Sequence, residues 1–101
     1  MRSDGMTSYQ IEYPISDLKK AVQAGFAYME SMDNIVGTIY ASPAVVKQLV
    51  LSMPDDIHFD YIPEGIGMLR TAYLKFMPSV KENEIRFFNQ DKTVELRLYL
   101  K

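Results

Sequence analysis

An α+β fold is expected, with two helices packed on a mostly antiparallel sheet that ends in a C-terminal β-meander. Three observations predict it. Apolar side chains recur at three- and four-residue spacing over residues 17–31 and again over 43–52, the period of a helix with one buried face. From Ile57 onward the period falls to two, as in half-buried strands. The 101 residues are 48% hydrophobic and 24% charged with a formal net charge of −2, the proportions of a soluble globular domain rather than of a disordered chain.

Residues 1–7 are small and polar and read as a flexible lead, leaving 8–101 as a single domain. Tyr9, Ile11 and Tyr13 alternate with Gln10 and Glu12, which predicts a short strand ended by Pro14. Ser16 is the expected N-cap of the first helix, with Asp17 in its first turn facing the positive end of the dipole. Leu18, Ala21, Val22, Gly25, Phe26 and Met29 make its buried stripe. Asp33-Asn34 signals a turn, and the β-branched run over 35–41 a buried strand. Ser42-Pro43 is a capping hydroxyl followed by a proline at the first helical position, where a missing N–H is no loss.

The second helix, 43–52, buries Val45, Val46, Leu49, Val50 and Met53 and stops at Pro54-Asp55. A strand over 57–62, a turn at Pro63-Glu64-Gly65 and one long strand over 68–77 follow. Ile85 to Phe88 and the clean alternation from Val94 to Leu100 then form a hairpin across Asn89-Gln90-Asp91-Lys92. A parallel crossover through 35–41, 43–52 and 57–62 would make the sheet mixed. The last strand also reads as an edge open to strand addition.

Chemistry is sparse. With no cysteine, thiol nucleophiles, disulfides and the common zinc and iron–sulfur sites are excluded, and with one histidine any triad would have to centre on His58. Gly65-Ile66-Gly67 lacks the strand-to-helix setting of a phosphate loop. Asp56, His58 and Asp60 would share one face of an extended strand, a donor set able to hold a divalent metal, against the plainer reading of a solvated strand face. Neither an enzyme nor a bound cofactor is expected.

Charge is divided along the chain. Residues 1–67 hold four basic and nine acidic side chains, and residues 68–101 seven basic and four acidic. Arg86, Arg97, Tyr99 and Lys101 fall on one expected strand face, where cations among aromatics suit single-stranded nucleic acid. An acidic half beside a basic half suits self-association equally. Seven tyrosines and seven methionines favour a protein contact surface, with Tyr28 and Tyr99 off the buried stripes as the leading contact residues.

The order strand, Ala41-Ser42-Pro43, helix, then Gly67-Met68-Leu69-Arg70-Thr71-Ala72-Tyr73-Leu74, Met77-Pro78 and Glu84-Ile85-Arg86-Phe87-Phe88 resembles a segment of HK97-type tailed-phage capsid proteins over residues 35–89. Ser42 stands where that family has asparagine, and the chain is too short to form a shell. The resemblance implies a small phage-encoded accessory protein, in the host cytoplasm or the virion; no run approaches the ~18 apolar residues that span a bilayer, and Met1-Arg2-Ser3-Asp4-Gly5 does not read as a signal peptide.

The expected function is a non-enzymatic, self-associating protein-interaction module, either a virion or assembly accessory or an inhibitor of a host protein. The alternatives are a nucleic-acid or nucleotide binder using the basic C-terminal sheet, and a metal-dependent enzyme around His58.

Overall fold

The computed structural model describes residues 6–58, 67–77 and 79–101. Along the chain they form β1 (Thr7–Tyr13), α1 (Leu18–Ser31), β2 (Val36–Ala41), α2 (Pro43–Ser52), β3 (Ile57–His58), β4 (Gly67–Leu69), β5 (Ala72–Phe76), β6 (Glu84–Asn89) and β7 (Val94–Leu100). The α+β class is therefore the one the chain adopts. Thr7, assigned to the lead, is the first residue of β1, and its N–H donates to Thr93 O at 3.0 Å. The expected strand residues Phe59 to Tyr61, the turn at Pro63-Glu64-Gly65 and residues 1–5 lie outside the described residues.

Local chemistry sets the helix ends. Asp17, not Ser16, caps α1, because its Oδ1 accepts the Lys20 N–H at 3.0 Å. At the other end Asp33 takes a left-handed φ of 61°, while its N–H and that of Asn34 reach back to Glu30 O and Met29 O, satisfying two terminal carbonyls. Ser42 caps α2 as the sequence predicts, its Oγ accepting the Val45 N–H at 3.3 Å with Pro43 just inside.

The described strands make one sheet in the order β1-β7-β6-β2-β5-β4-β3. β1 pairs parallel with β7 and β2 parallel with β5, and the other four neighbouring pairs are antiparallel. The sheet is thus mixed, although the parallel neighbour of β2 is β5 and not the 57–62 segment. β3 starts at the far edge, two strands beyond β5. The C-terminal run of strands is present as two hairpins, β4–β5 and β6–β7, lying on either side of β2.

The long strand expected over 68–77 is folded in two. Arg70 and Thr71 form a two-residue loop between Leu69 and Ala72, with Arg70 at φ 57°. Neither glycine nor asparagine marks this turn, so no local signal gives it away. It is held from a distance: the Arg70 guanidinium lies 4.4 Å from the Phe26 ring and 3.3 Å from Glu30 on α1, and Thr71 Oγ1 donates to Val36 O.

Both helices pack on one face of the sheet. Beneath them Leu96, Leu98, Ile85, Phe87, Ile39 and Leu74 are fully buried, meeting Phe26 and Met29 of α1 and Leu49 of α2 in a continuous core. Helix and sheet approach closely at Gly25, where a Cβ would fall 2.3 Å from Phe87 Cζ. β7, expected to offer a free edge, lies between β1 and β6. Its flanking strand β1 is an outer edge of the sheet instead.

Candidate functional site

The face of the sheet away from the helices has no layer over it among the described residues. Strand alternation puts on it every second residue of each strand: Glu84, Arg86 and Phe88 from β6, and Glu95, Arg97 and Tyr99 from β7. In this register Arg86 stands opposite Arg97, Glu84 opposite Tyr99 and Phe88 opposite Glu95. Two like charges face to face would repel. The glutamates at the diagonal corners resolve this.

Arg86 Nε is 3.2 Å from Glu84 Oε2, and Arg97 Nε is 2.9 Å from Glu95 Oε1 and 4.0 Å from Glu84 Oε2. Ser8 Oγ of β1 donates to Glu95 Oε1 at 2.8 Å, and the Lys81 N–H to Glu84 Oε1 at 3.3 Å. Both carboxylates are sealed under this lattice, 1% and 2% exposed, although no helix covers them. Burial pushes the Glu84 carboxyl up, but the hydrogen bonds from Arg86 and the Lys81 N–H, with the charges of Arg86 and Arg97, outweigh it and hold the group below its ordinary value. Hydrogen bonds to Glu95 and Tyr99 hold the Arg97 guanidinium above its own.

The neighbouring part of the face is aromatic. Tyr40 of β2 meets Phe88 edge to face at 5.4 Å between centroids, and Lys92 lies 5.6 Å over the Tyr40 ring with Nζ 3.2 Å from its hydroxyl. Tyr73 of β5 is 45% exposed, with Lys75 Nζ 5.8 Å from its ring. Between β2 and the β4–β5 hairpin a hollow of about 330 Å³ opens, bordered by Thr38, Met68, Tyr73 and Gln90. A charge-neutral ionic lattice therefore adjoins a hollow with an exposed tyrosine.

Of the residues singled out from sequence, Arg86, Arg97 and Tyr99 come together here. Lys101 lies beside them but is engaged, its Nζ 2.7 Å from Glu12 Oε2. Tyr28 belongs to the other layer, on α1, where its ring packs edge-on against Tyr9 at 5.9 Å. Asp56 and His58 are not brought together. Asp56 sits in the turn after α2, its N–H bonded to Met53 O, and pairs with Lys19 at 3.8 Å. His58 is exposed in β3 opposite Met68, on the open face. Asp60 lies outside the described residues, and among those described no three histidine, aspartate, glutamate or cysteine side chains cluster as a metal would need.

Glu84 and Glu95 were missed as site residues, yet the signal was there. Glu84-Ile85-Arg86 and Glu95-Leu96-Arg97 repeat one charge pattern at strand period, and two such strands paired antiparallel must interleave their charges. A second concavity, about 430 Å³, lies in the helix layer between Ile15, Leu18, Val45 and Leu100, away from these groups. No helix among the described residues is long and apolar enough to cross a membrane. No family model, curated protein or solved structure matches the chain.

Proposed function

We propose that the chain is a non-enzymatic protein-interaction module that self-associates and presents the open face of its sheet to a protein partner. The observation that carries this reading is the charge pairing along β6 and β7 on that face. Arg86 and Arg97 are matched by Glu84 and Glu95, and Lys101 by Glu12, so the three cations that the sequence offers for phosphate are already engaged by carboxylates. Beside that lattice the face offers Tyr73, Tyr40, Phe88 and the hollow, with Lys75 and Lys92 lying over the two tyrosine rings, a mix of aromatic and hydrogen-bonding surface of the kind protein interfaces favour. The resemblance of residues 35–89 to tailed-phage capsid segments supports placing the module among phage accessory proteins, as a virion or assembly component or an inhibitor of a host protein, in the host cytoplasm or the virion.

Affinity capture from a lysate of the native host, washed through a salt series, tests the reading. A protein partner retained through the series is the expected result. In parallel, polarisation of a labelled single-stranded oligonucleotide should show no binding at low salt. Tight oligonucleotide binding that collapses as salt rises, with no protein retained, would replace this reading with a phosphate-binding one.

A further inference from the structure

One outer strand of the sheet, β1, runs for seven residues and has no strand paired on its outer side among the described residues. Edges of that length are ordinarily blunted by lysine, proline or a bulge. β1 has none of these; its single charge, Glu12, is neutralised by Lys101 at 2.7 Å, and Pro14 lies just past its end. We infer that β1 is the docking edge for the β1 of a second copy, antiparallel about Gln10. This deepens the self-association proposed above and rests on it.

The register follows from which way the backbone groups point. Thr7 N–H donates to Thr93 O, Lys101 N–H donates to Tyr13 O, and Ile15 N–H donates to Lys101 O, so the odd-numbered residues turn their backbone groups inward to β7. Ser8, Gln10 and Glu12 therefore turn theirs outward, because successive residues of a strand alternate. A two-fold axis at Gln10 places Gln10 opposite Gln10 and Ser8 opposite Glu12 of the second copy. All three outward residues then form hydrogen-bonded pairs, and all seven strand residues have a partner. No like charges meet across the axis.

The apolar side of β1 points the same way. Tyr9, Ile11 and Tyr13 lie on the helix-facing side but stay half-exposed, because α1 packs over β7, β6 and β2 and covers the outermost strand incompletely. In the Gln10 register Tyr9 meets Ile11 of the second copy, and Thr7 meets Tyr13. Aromatic and β-branched partners of this kind are favoured across strands. The half-covered row is thereby closed by its own copy.

The chain's lack of cysteine makes the register directly testable. Hydrogen-bonded antiparallel partners stand about 5.5 Å apart at Cα, within disulfide reach, so Gln10→Cys should oxidise to a covalent dimer ~10-fold faster than Ser8→Cys. Sedimentation equilibrium of the unmodified chain should give a dimer mass. Gln10→Pro removes an outward N–H and leaves the inward ladder intact, so it should fold and sediment as a monomer. Gln10→Lys, which sets like charges face to face at the axis, provides the same readout should the proline variant not fold.

A native monomer throughout the micromolar range would overturn the inference together with the self-association part of the proposed function, leaving partner capture standing. A folded variant that stays dimeric, or Ser8→Cys cross-linking as fast as Gln10→Cys, would overturn β1 pairing in this register while leaving self-association in place.

Discussion

The two faces of this sheet are made by the same strands and the same two-residue alternation, and they are stabilised by different physics. Under the helices, Ile39, Leu74, Ile85, Phe87, Leu96 and Leu98 are sealed by neighbours of matching shape, and volume is what matters. On the open face Glu84 and Glu95 are sealed just as tightly with no helix above them among the described residues, because Arg86 and Arg97 lie across them. The first arrangement tolerates no change of size. The second tolerates no change of charge, and it leaves the aromatic groups beside it uncovered. A face held rigid by its own ion pairs can display a tyrosine without relying on a partner for stability.

Substitutions should separate the faces, beginning beneath the helices. Phe87→Ala empties the contact with Phe26, whose ring stands edge-on at 5.9 Å. The expected loss is about 3–5 kcal/mol in chemical denaturation, enough to unfold a domain of this size or nearly so. Gly25→Ala attacks the same place from the other side. Its Cβ would meet three atoms of the Phe87 ring at under 3 Å, and overpacking of that kind should cost about 1–3 kcal/mol.

On the open face, Glu84→Gln removes the carboxylate shared by Arg86 and Arg97 and leaves those two facing each other. Breaking a sealed pair costs about 3–5 kcal/mol, and the partial exposure of both arginines reduces this to about 1–2. The same group sets an acid limb. Its pKa is depressed in the folded state, so its contribution is complete above the ordinary glutamate range and is lost as pH falls through the folded value. Melting temperature followed downward in pH should therefore fall for the natural chain and fall less steeply for Glu84→Gln; parallel curves would show that Glu84 does not hold the lattice together. Smallest of all, Tyr73→Ala should change stability by within about 0.5 kcal/mol, since that ring closes no part of the core.

Much of the covered face was legible in the sequence, because helix period, the Ser42-Pro43 cap and the alternation of β7 are local signals. The pairing order was not. β2 lies between β5 and β6, a neighbourhood set by long-range packing and by no residue's own preference. The Arg70-Thr71 turn was hidden for a related reason: an arginine at φ 57° is held by Phe26 and Glu30, both some forty positions earlier. For the open face, Arg86, Arg97 and Tyr99 were recognised, but as free cations and a contact ring. Their neutralisation follows from the antiparallel register of β6 and β7, which turns two separate Glu-x-Arg triplets into a single lattice.

The most direct measurement replaces Tyr73 and Lys75 together with alanine and compares melting temperature and partner capture with the natural chain. If the open face is kept for a partner, the double variant melts within a few degrees of the natural protein and no longer retains the captured partner. Capture at undiminished yield by a fully folded double variant would contradict that assignment and move recognition to another surface.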